Sequence, residues 1–177
     1  MSEKEILKKY QEIILDESIK SDDYDTLSYL LENYKVSLDK THIKQLIYHN
    51  KIDIIKKHFK VENFNRKEIK SLLVSSAESN NLEMMKFYLD ECDIFPTLSC
   101  FIKSFYANTS FLEKNRIPDV DFIGKKENQL VFNYLLNHKT FPEIFNRYKD
   151  NSDILNGELL YVMRNRDREL KMKRVKK

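Results

Sequence analysis

A short polar turn recurs along this chain at intervals of about 30 residues, and this spacing limits the folds that the chain can adopt. The clearest copies are SDDYDTLSYLLEN at 21–33, HNKIDIIKKHF at 49–59 and SNNLEMMKFYLDE at 79–91; weaker copies are YANTSFLEK at 106–114 and HKTFPEIFNRY at 138–148. With one anchor residue chosen in each turn, the spacings are 28, 30, 27 and 32. The anchors are Asp23, Lys51, Asn81, Asn108 and Thr140. Repeats of this length are typical of stacked helical hairpins.

Hydrophobic residues keep fixed distances from these anchors. Of the 25 positions that lie 8 or 4 residues before an anchor, or 1, 4 or 8 residues after it, 22 are hydrophobic, whereas the overall 41% content gives about 10 by chance. The column at −8 contains Leu15, Ile43, Leu73, Cys100 and Phe132, and the column at −4 contains Ile19, Ile47, Ala77, Ser104 and Leu136. Each turn therefore joins two helices with facing apolar stripes. Because one hairpin cannot bury both stripes, neighbouring hairpins must stack.

The predicted fold is all-α, a short curved solenoid of about five or six stacked antiparallel helix pairs. Few segments alternate with the period of two that a strand requires, whereas apolar residues recur at three and four. The first helix is expected to begin near Lys4, and the last to run near 153–172 as a polar cap. Residues 1–163 form the repeat domain and 164–177 a basic C-terminal cap or tail, with the array less regular past residue 95.

The turn at 75–94, SSAESNNLEMMKFYLDECDI, resembles the ankyrin repeat family. The matching residues are Ala77, Asn80, Asn81, Leu82, Glu83, Met84, Met85, Lys86 and Leu89. The segment NKIDIIKKHF resembles the same second helix, and the likeness extends over roughly 10–148, most closely over about 20–95. Degenerate arrays of this kind resemble those of large DNA viruses. The resemblance implies binding of another protein through the loop tips and the concave face, with no catalysis.

The chain also departs from the ankyrin pattern. The T-P-L-H opening is absent from every repeat, and Asp22, Asn50 and Asn80 stand at or near the glycine of the turn. Asn and Asp tolerate a left-handed backbone better than most residues, so the turn remains feasible. The repeats are shorter than about 33 residues, which predicts β-hairpin fingers trimmed to plain loops. A generic helical-hairpin solenoid of another type is the alternative fold.

Four loops carry the candidate partner-binding residues: 33–40, 60–67, 92–97 and 115–127. Aromatic residues and arginine are favoured as interface anchors. The candidates are Tyr34, Lys35, Phe64, Arg66, Phe95, Arg116, Phe122 and Lys125. The alternative for the three phenylalanines is that they pack back onto the repeat stack. The longest loop, 115–127, interrupts the array and is the strongest of the four as a contact site.

The C-terminal segment 164–177 contains eight basic and two acidic residues, so its net charge of +6 leaves −3 on the rest of the chain. The basic residues are Arg164, Arg166, Arg168, Lys171, Lys173, Arg174, Lys176 and Lys177. Three interpretations stay open: a tail that contacts nucleic-acid phosphates, a nuclear localisation signal, or a solvated cap on the last repeat.

Motifs of catalysis are missing from the sequence. G-x-S-x-G, the P-loop and G-x-G-x-x-G do not occur, and two glycines cannot build a phosphate-binding loop. The four histidines, among them His42, His49 and His138, form no i, i+4 pair, and surface or packing roles are expected for them. Cys92 and Cys100 are expected to be reduced, buried thiols, with a disulfide or a metal site as the alternative. No catalytic residue, cofactor or metal is predicted.

These observations favour a non-catalytic adaptor or inhibitor that binds a partner protein. Lys, Ile, Asn, Phe and Tyr dominate the composition, which indicates an A/T-rich genome and suggests a viral or bacterial effector. The alternatives are a nucleic-acid-associated protein that uses the basic segment and a structural component of a larger particle. The N-terminal sequence MSEKEILKK lacks an apolar signal core, and no apolar run matches a membrane helix. The expected location is intracellular and cytoplasmic (in the host cell for a virus), with the nucleus left open by the basic segment.

Overall fold

The structure, a computed structural model, describes residues 3–34, 36–107, 130–150, 155 and 157–175. Its helices are α1 (Glu3–Lys20), α2 (Tyr24–Asn33), α3 (Lys40–Tyr48), α4 (Ile52–His58), α5 (Arg66–Glu78), α6 (Leu82–Lys86), α7 (Leu98–Tyr106), α8 (Leu130–Asn137), α9 (Phe141–Tyr148) and α10 (Gly157–Val175). A 3-10 turn covers Val61–Asn63, and a π turn, Phe87–Glu91, follows α6. No strand occurs in these described ranges, so the all-α prediction is confirmed for them.

The chain divides into two compact units, an N-terminal unit (Met1–Leu72) and a C-terminal unit (Leu73–Lys177). In the N-terminal unit, α1 packs against α2, and α3 packs against both α4 and α1. In the C-terminal unit, α8 contacts α6, α7 and α9, and α10 packs on α9. The last helix continues unbroken through residues 163 and 164, the expected boundary between the repeats and the basic segment.

Three turns have the same backbone geometry. Asp22, Asn50 and Asn80 adopt left-handed conformations, with φ of 59°, 55° and 51°. The amide of the next residue then donates to the carbonyl five residues back, and this distance is 2.9 Å in all three turns: Asp23 to Ser18, Lys51 to Leu46 and Asn81 to Ser76. This is the Schellman ending of a helix, which normally uses glycine. The prediction that Asp22, Asn50 and Asn80 can adopt a left-handed turn is therefore confirmed.

The helix that follows each turn begins at the expected anchor. Asp23, Lys51, Asn81 and Thr140 are the N-cap residues of α2, α4, α6 and α9, whereas Asn108 lies outside the described residues. The Asp23 carboxylate accepts from the Thr26 amide at 3.1 Å, and the Asn81 side chain accepts from the Met84 amide at 3.0 Å. These bonds satisfy amides that have no partner within the first helical turn.

The −8 and −4 columns form the hydrophobic core of the hairpins. Residues of the −8 column are 0–1% exposed and those of the −4 column 0–7% exposed, from Leu15 to Leu136. Ser104, the polar member, donates to the Phe101 carbonyl at 3.2 Å. The column pattern therefore identified the buried face of the first helix at every anchor.

Polar contacts join the two hairpins of the N-terminal unit. His42 Nε2 lies 2.8 Å from Asp16 Oδ1, and Lys57 pairs with Glu32. The Asp39 amide donates to His42 Nδ1 at 3.1 Å, which leaves the ring proton on Nε2 to face Asp16. A hydrogen bond from Lys57 and its charge lower the pKa of Glu32. Partners 25 and 26 residues apart hold the hairpins in register.

Candidate functional site

The predicted loop anchors differ in their surroundings. Phe64 is half-buried and stacks on Phe59 with ring centroids 5.0 Å apart, so it packs back onto its own unit. Tyr34 is exposed and meets Tyr29 edge-to-face at 6.0 Å, and Arg66 is exposed at the start of α5. Phe95 is 58% exposed. The remaining candidates, Lys35, Arg116, Phe122 and Lys125, lie outside the described residues.

Phe95 follows the π turn of the C-terminal unit, where the backbone departs from the repeat. The Cys92 amide donates to the Phe87 carbonyl at 3.0 Å, which is the five-residue spacing of a π turn, and Asp93 adopts a left-handed φ of 50°. The π turn buries Phe87, Tyr88 and Leu89 in succession and leaves Asp90 at the surface. Asp90 thereby faces α8.

A tyrosine on α8 fixes the Asp90 carboxylate. The Tyr134 hydroxyl donates to Asp90 Oδ2 at 2.7 Å. Burial raises the pKa of Tyr134, and the hydrogen bond and charge of Asp90 raise it further. The phenol is therefore protonated at neutral pH, and it acts as a hydrogen-bond donor.

His138, just after α8, faces the second oxygen of Asp90. Its side chain is 7% exposed, and Nδ1 lies 2.8 Å from Thr140 Oγ1 and accepts from the Thr140 amide at 3.4 Å. The ring proton therefore lies on Nε2, which is 3.5 Å from Asp90 Oδ1. This contact has ion-pair distance but not hydrogen-bond geometry, and Nε2 has no hydrogen-bond partner in the described structure. A buried donor of this kind is uncommon.

These groups line one concavity, which we call the His138 cleft. Its volume is about 230 Å³. It is formed by Asp90, Tyr134, Asn137, His138 and Lys139. At its rim, Lys139 Nζ lies 3.9 Å from Asp93 Oδ1. Asp93 precedes the exposed Phe95 by two residues in the sequence. The cleft offers a carboxylate, two aromatic rings and hydrogen-bond donors, in a space suited to one side chain.

Sequence reasoning missed this cleft. His138 was expected to have a surface or packing role, and neither Asp90 nor Tyr134 was singled out. Asp90 and Tyr134 are 44 residues apart. No local motif relates them, so only the packing of α8 on α6 and the π turn brings them together.

The basic residues of α10 fall into two groups. Arg166 is turned inward: it donates to the Leu136 carbonyl at 3.4 Å and to Asn137 Oδ1, where a cation suits the C-terminus of α8. Lys171 pairs with Asp167 at 2.6 Å.

The exposed group of α10 consists of Arg164, Arg168, Lys171 and Lys173. Arg164 also donates to the Lys149 carbonyl at 3.4 Å. Lys176 and Lys177, together with the side chain of Arg174, lie outside the described residues.

The described residues contain no group of three or more His, Cys, Asp or Glu side chains that could hold a metal ion. Both cysteines are free thiols: Cys100 is buried as expected, Cys92 is only half-buried, and burial raises the pKa of each. None of the described helices is both long and apolar enough to cross a bilayer.

No protein-family model, curated protein or solved structure is significantly similar to this chain.

Proposed function

We propose that this chain is a non-catalytic protein-binding module, an adaptor or inhibitor of the viral or bacterial effector type that acts by covering a partner's surface. The observation that carries this proposal is the His138 cleft. The cleft presents a fixed Asp90 carboxylate and a buried His138 donor. Concave sites with a few convergent polar groups are the usual places of recognition.

The Asp90 carboxylate of the cleft suits a lysine or arginine side chain of a partner protein, and His138 Nε2 can donate to a carbonyl oxygen of the same partner. Asp90 Oδ1 is not hydrogen-bonded by His138 and can accept from a cation. The rings of Tyr134 and His138, with centroids 5.6 Å apart, line the wall and provide a face for a guanidinium. Burial and the hydrogen bond to Asp90 raise the pKa of Tyr134, so the phenol remains a donor that keeps the Asp90 carboxylate in place.

We also propose that the hairpins are ankyrin-like repeats with trimmed fingers. The support is local: three turns share one Schellman geometry, and four helices begin at the expected anchors. Protein binding is the role that this resemblance implies. Phe95, which is exposed two residues after Asp93, is the aromatic anchor in this proposal.

Asp90→Asn and Phe95→Ala are each expected to lower recovery of the partner protein at least ~10-fold, because truncation of an interface anchor commonly costs 2 kcal/mol or more. The measurement is affinity capture of the full chain from native lysate with nuclease added, quantified by mass spectrometry. The matched control is Tyr48→Ala, which removes an exposed aromatic of α3 in the other unit.

If all three variants recovered the same amount of partner protein, the cleft would not be the binding site. Loss of every bound protein on nuclease treatment would refute protein binding itself.

The exposed face of α10 favours nucleic-acid binding as a second candidate function. Tyr161, Arg164 and Arg168 occupy positions i, i+3 and i+7 of the helix and are all exposed. This spacing places a ring and two guanidiniums on one face. Arginine neutralises phosphates, and an exposed ring can stack on an unpaired base.

For this second function, Arg164→Ala/Arg168→Ala is expected to reduce the slope of log K against log salt by roughly 1.4 for a single-stranded oligonucleotide, since each of two phosphate contacts contributes about 0.7. Fluorescence anisotropy at several salt concentrations measures the slope. The control, Lys103→Ala/Arg147→Ala, removes two exposed cations elsewhere in the C-terminal unit. An identical slope for both double variants would contradict binding by α10.

A further inference from the structure

Helix α1 carries apolar side chains on two of its faces. One face packs into the N-terminal unit through Leu15, Ser18 and Ile19, which are at most 4% exposed. The other face carries five large apolar side chains that are each between 38% and 60% exposed. They are Ile6, Leu7, Tyr10, Ile13 and Ile14. Their spacing of three and four residues aligns them in one stripe, ~12 Å long at the helical rise per residue.

This stripe stands out from the rest of the surface. Five of the twelve exposed large apolar side chains in the described part of the chain belong to α1, and the others are distributed over several elements. Single exposed apolar residues are ordinary, but a contiguous stripe marks a surface that is covered by another molecule.

The charges of α1 indicate what covers it. The helix contains four lysines and five acidic residues, so its net charge of −1 does not attract anionic lipid or nucleic acid. Lys9 and Asp16 are seven residues apart and therefore lie on the same edge of the stripe. The Asp16 carboxylate is held in place by His42 at 2.8 Å and is half-exposed. One edge thus carries both a cation and an anion.

We propose that the stripe binds a second copy of this chain, with the two α1 helices antiparallel about a two-fold axis. When the axis passes between Tyr10 and Ile13, Tyr10 of one copy lies against Ile13 of the other. The symmetry then forms the same contact a second time, with the two copies exchanged. The same symmetry brings Lys9 to within ~3 Å, along the helix axis, of Asp16 of the second copy, a distance that the lysine side chain spans, and it does so twice per dimer. A parallel pair would place like residues together and lose this complementarity. The inference is independent of the His138 cleft, which belongs to the other unit.

The dimer should be weak. Glu17, which pairs with Lys20 at 2.8 Å, ends the stripe and keeps it short. A contact between two such short stripes is at the low end of the range for specific protein interfaces, where association is transient. Self-association is therefore expected to depend on concentration.

Analytical ultracentrifugation of the full chain tests this proposal. Between ~10 and ~500 µM, a range suited to weak interfaces, the average mass should rise from 21.3 kDa towards twice that value. Ile13→Glu should stay monomeric throughout, while Tyr48→Glu, which places the same charge on exposed α3, should dimerise as the wild type does. Circular dichroism verifies that each variant is folded.

Charge reversal tests the antiparallel register. Lys9→Asp alone should weaken the dimer ~10-fold, because like charges then face each other twice. The double variant Lys9→Asp/Asp16→Asn should recover part of the loss, since like charges no longer face each other and the amide oxygen at position 16 can still accept from His42. A wild-type chain that stays monomeric at every concentration overturns the proposal, as does a monomer that co-sediments with phosphatidylcholine vesicles. If the double variant dimerises no more tightly than Lys9→Asp does, the antiparallel register is wrong.

Discussion

Replacing Phe132 with alanine is expected to lower the free energy of unfolding by about 3–5 kcal/mol. Phe132 lies on α8, is 1% exposed and meets Phe105 edge-to-face with centroids 5.1 Å apart. Phe105 in turn meets Tyr106 with ring centroids 5.0 Å apart, so three aromatic rings pack in series. The loss is a large part of the 5–15 kcal/mol that stabilises an ordinary domain. Urea unfolding followed by far-UV circular dichroism measures the effect.

Phe95→Ala is the matched control for this substitution. It removes the same atoms from a ring that is 58% exposed, so the expected change is within about 0.5 kcal/mol. If both variants lost the same stability, burial of Phe132 would not be the cause, and the assignment of the −8 column to the core would be wrong. The control also supports the capture experiment, because Phe95→Ala must stay folded for its loss of binding to be meaningful.

The hairpins could be predicted from the sequence because one physical constraint acts repeatedly. Each first helix must bury one face against its partner, and the column from Leu15 to Phe132 records that requirement at five positions. The left-handed turn is likewise limited to few residue types, so Asp22, Asn50 and Asn80 could be recognised.

Exposure and long-range contact could not be predicted in this way. Ile13 and Ile14 fit the helical pattern as well as Leu27 does, yet they are exposed and Leu27 is buried, since a pattern does not show whether a covering element exists. The His138 cleft depends on a π turn that places Asp90 opposite α8, and no local propensity predicts that placement.

Asn80→Ala is expected to cost about 2–3 kcal/mol, because Asn80 satisfies two requirements at once. Its φ of 51° closes the Schellman turn after α5, a conformation that alanine adopts with strain. Its side-chain oxygen also accepts from the Val131 amide at 3.1 Å, in the first turn of α8, where no helical carbonyl is within reach. One side chain therefore ends one helix and caps another that lies 51 residues further along the chain.

Two further variants of Asn80 separate these contributions in the same urea experiment. Asn80→Gly keeps the left-handed turn but loses the acceptor, so a cost of about 1–2 kcal/mol is expected. Asn80→Asp keeps the acceptor, places a negative charge at the N-terminus of α8 and tolerates the turn, so it should remain within about 0.5 kcal/mol of the wild type. The aspartate variant is therefore expected to be the most stable of the three, the glycine variant intermediate and the alanine variant the least stable. Equal stability of the glycine and alanine variants would refute the strain contribution, whereas a glycine variant as stable as the wild type would refute the cap on α8.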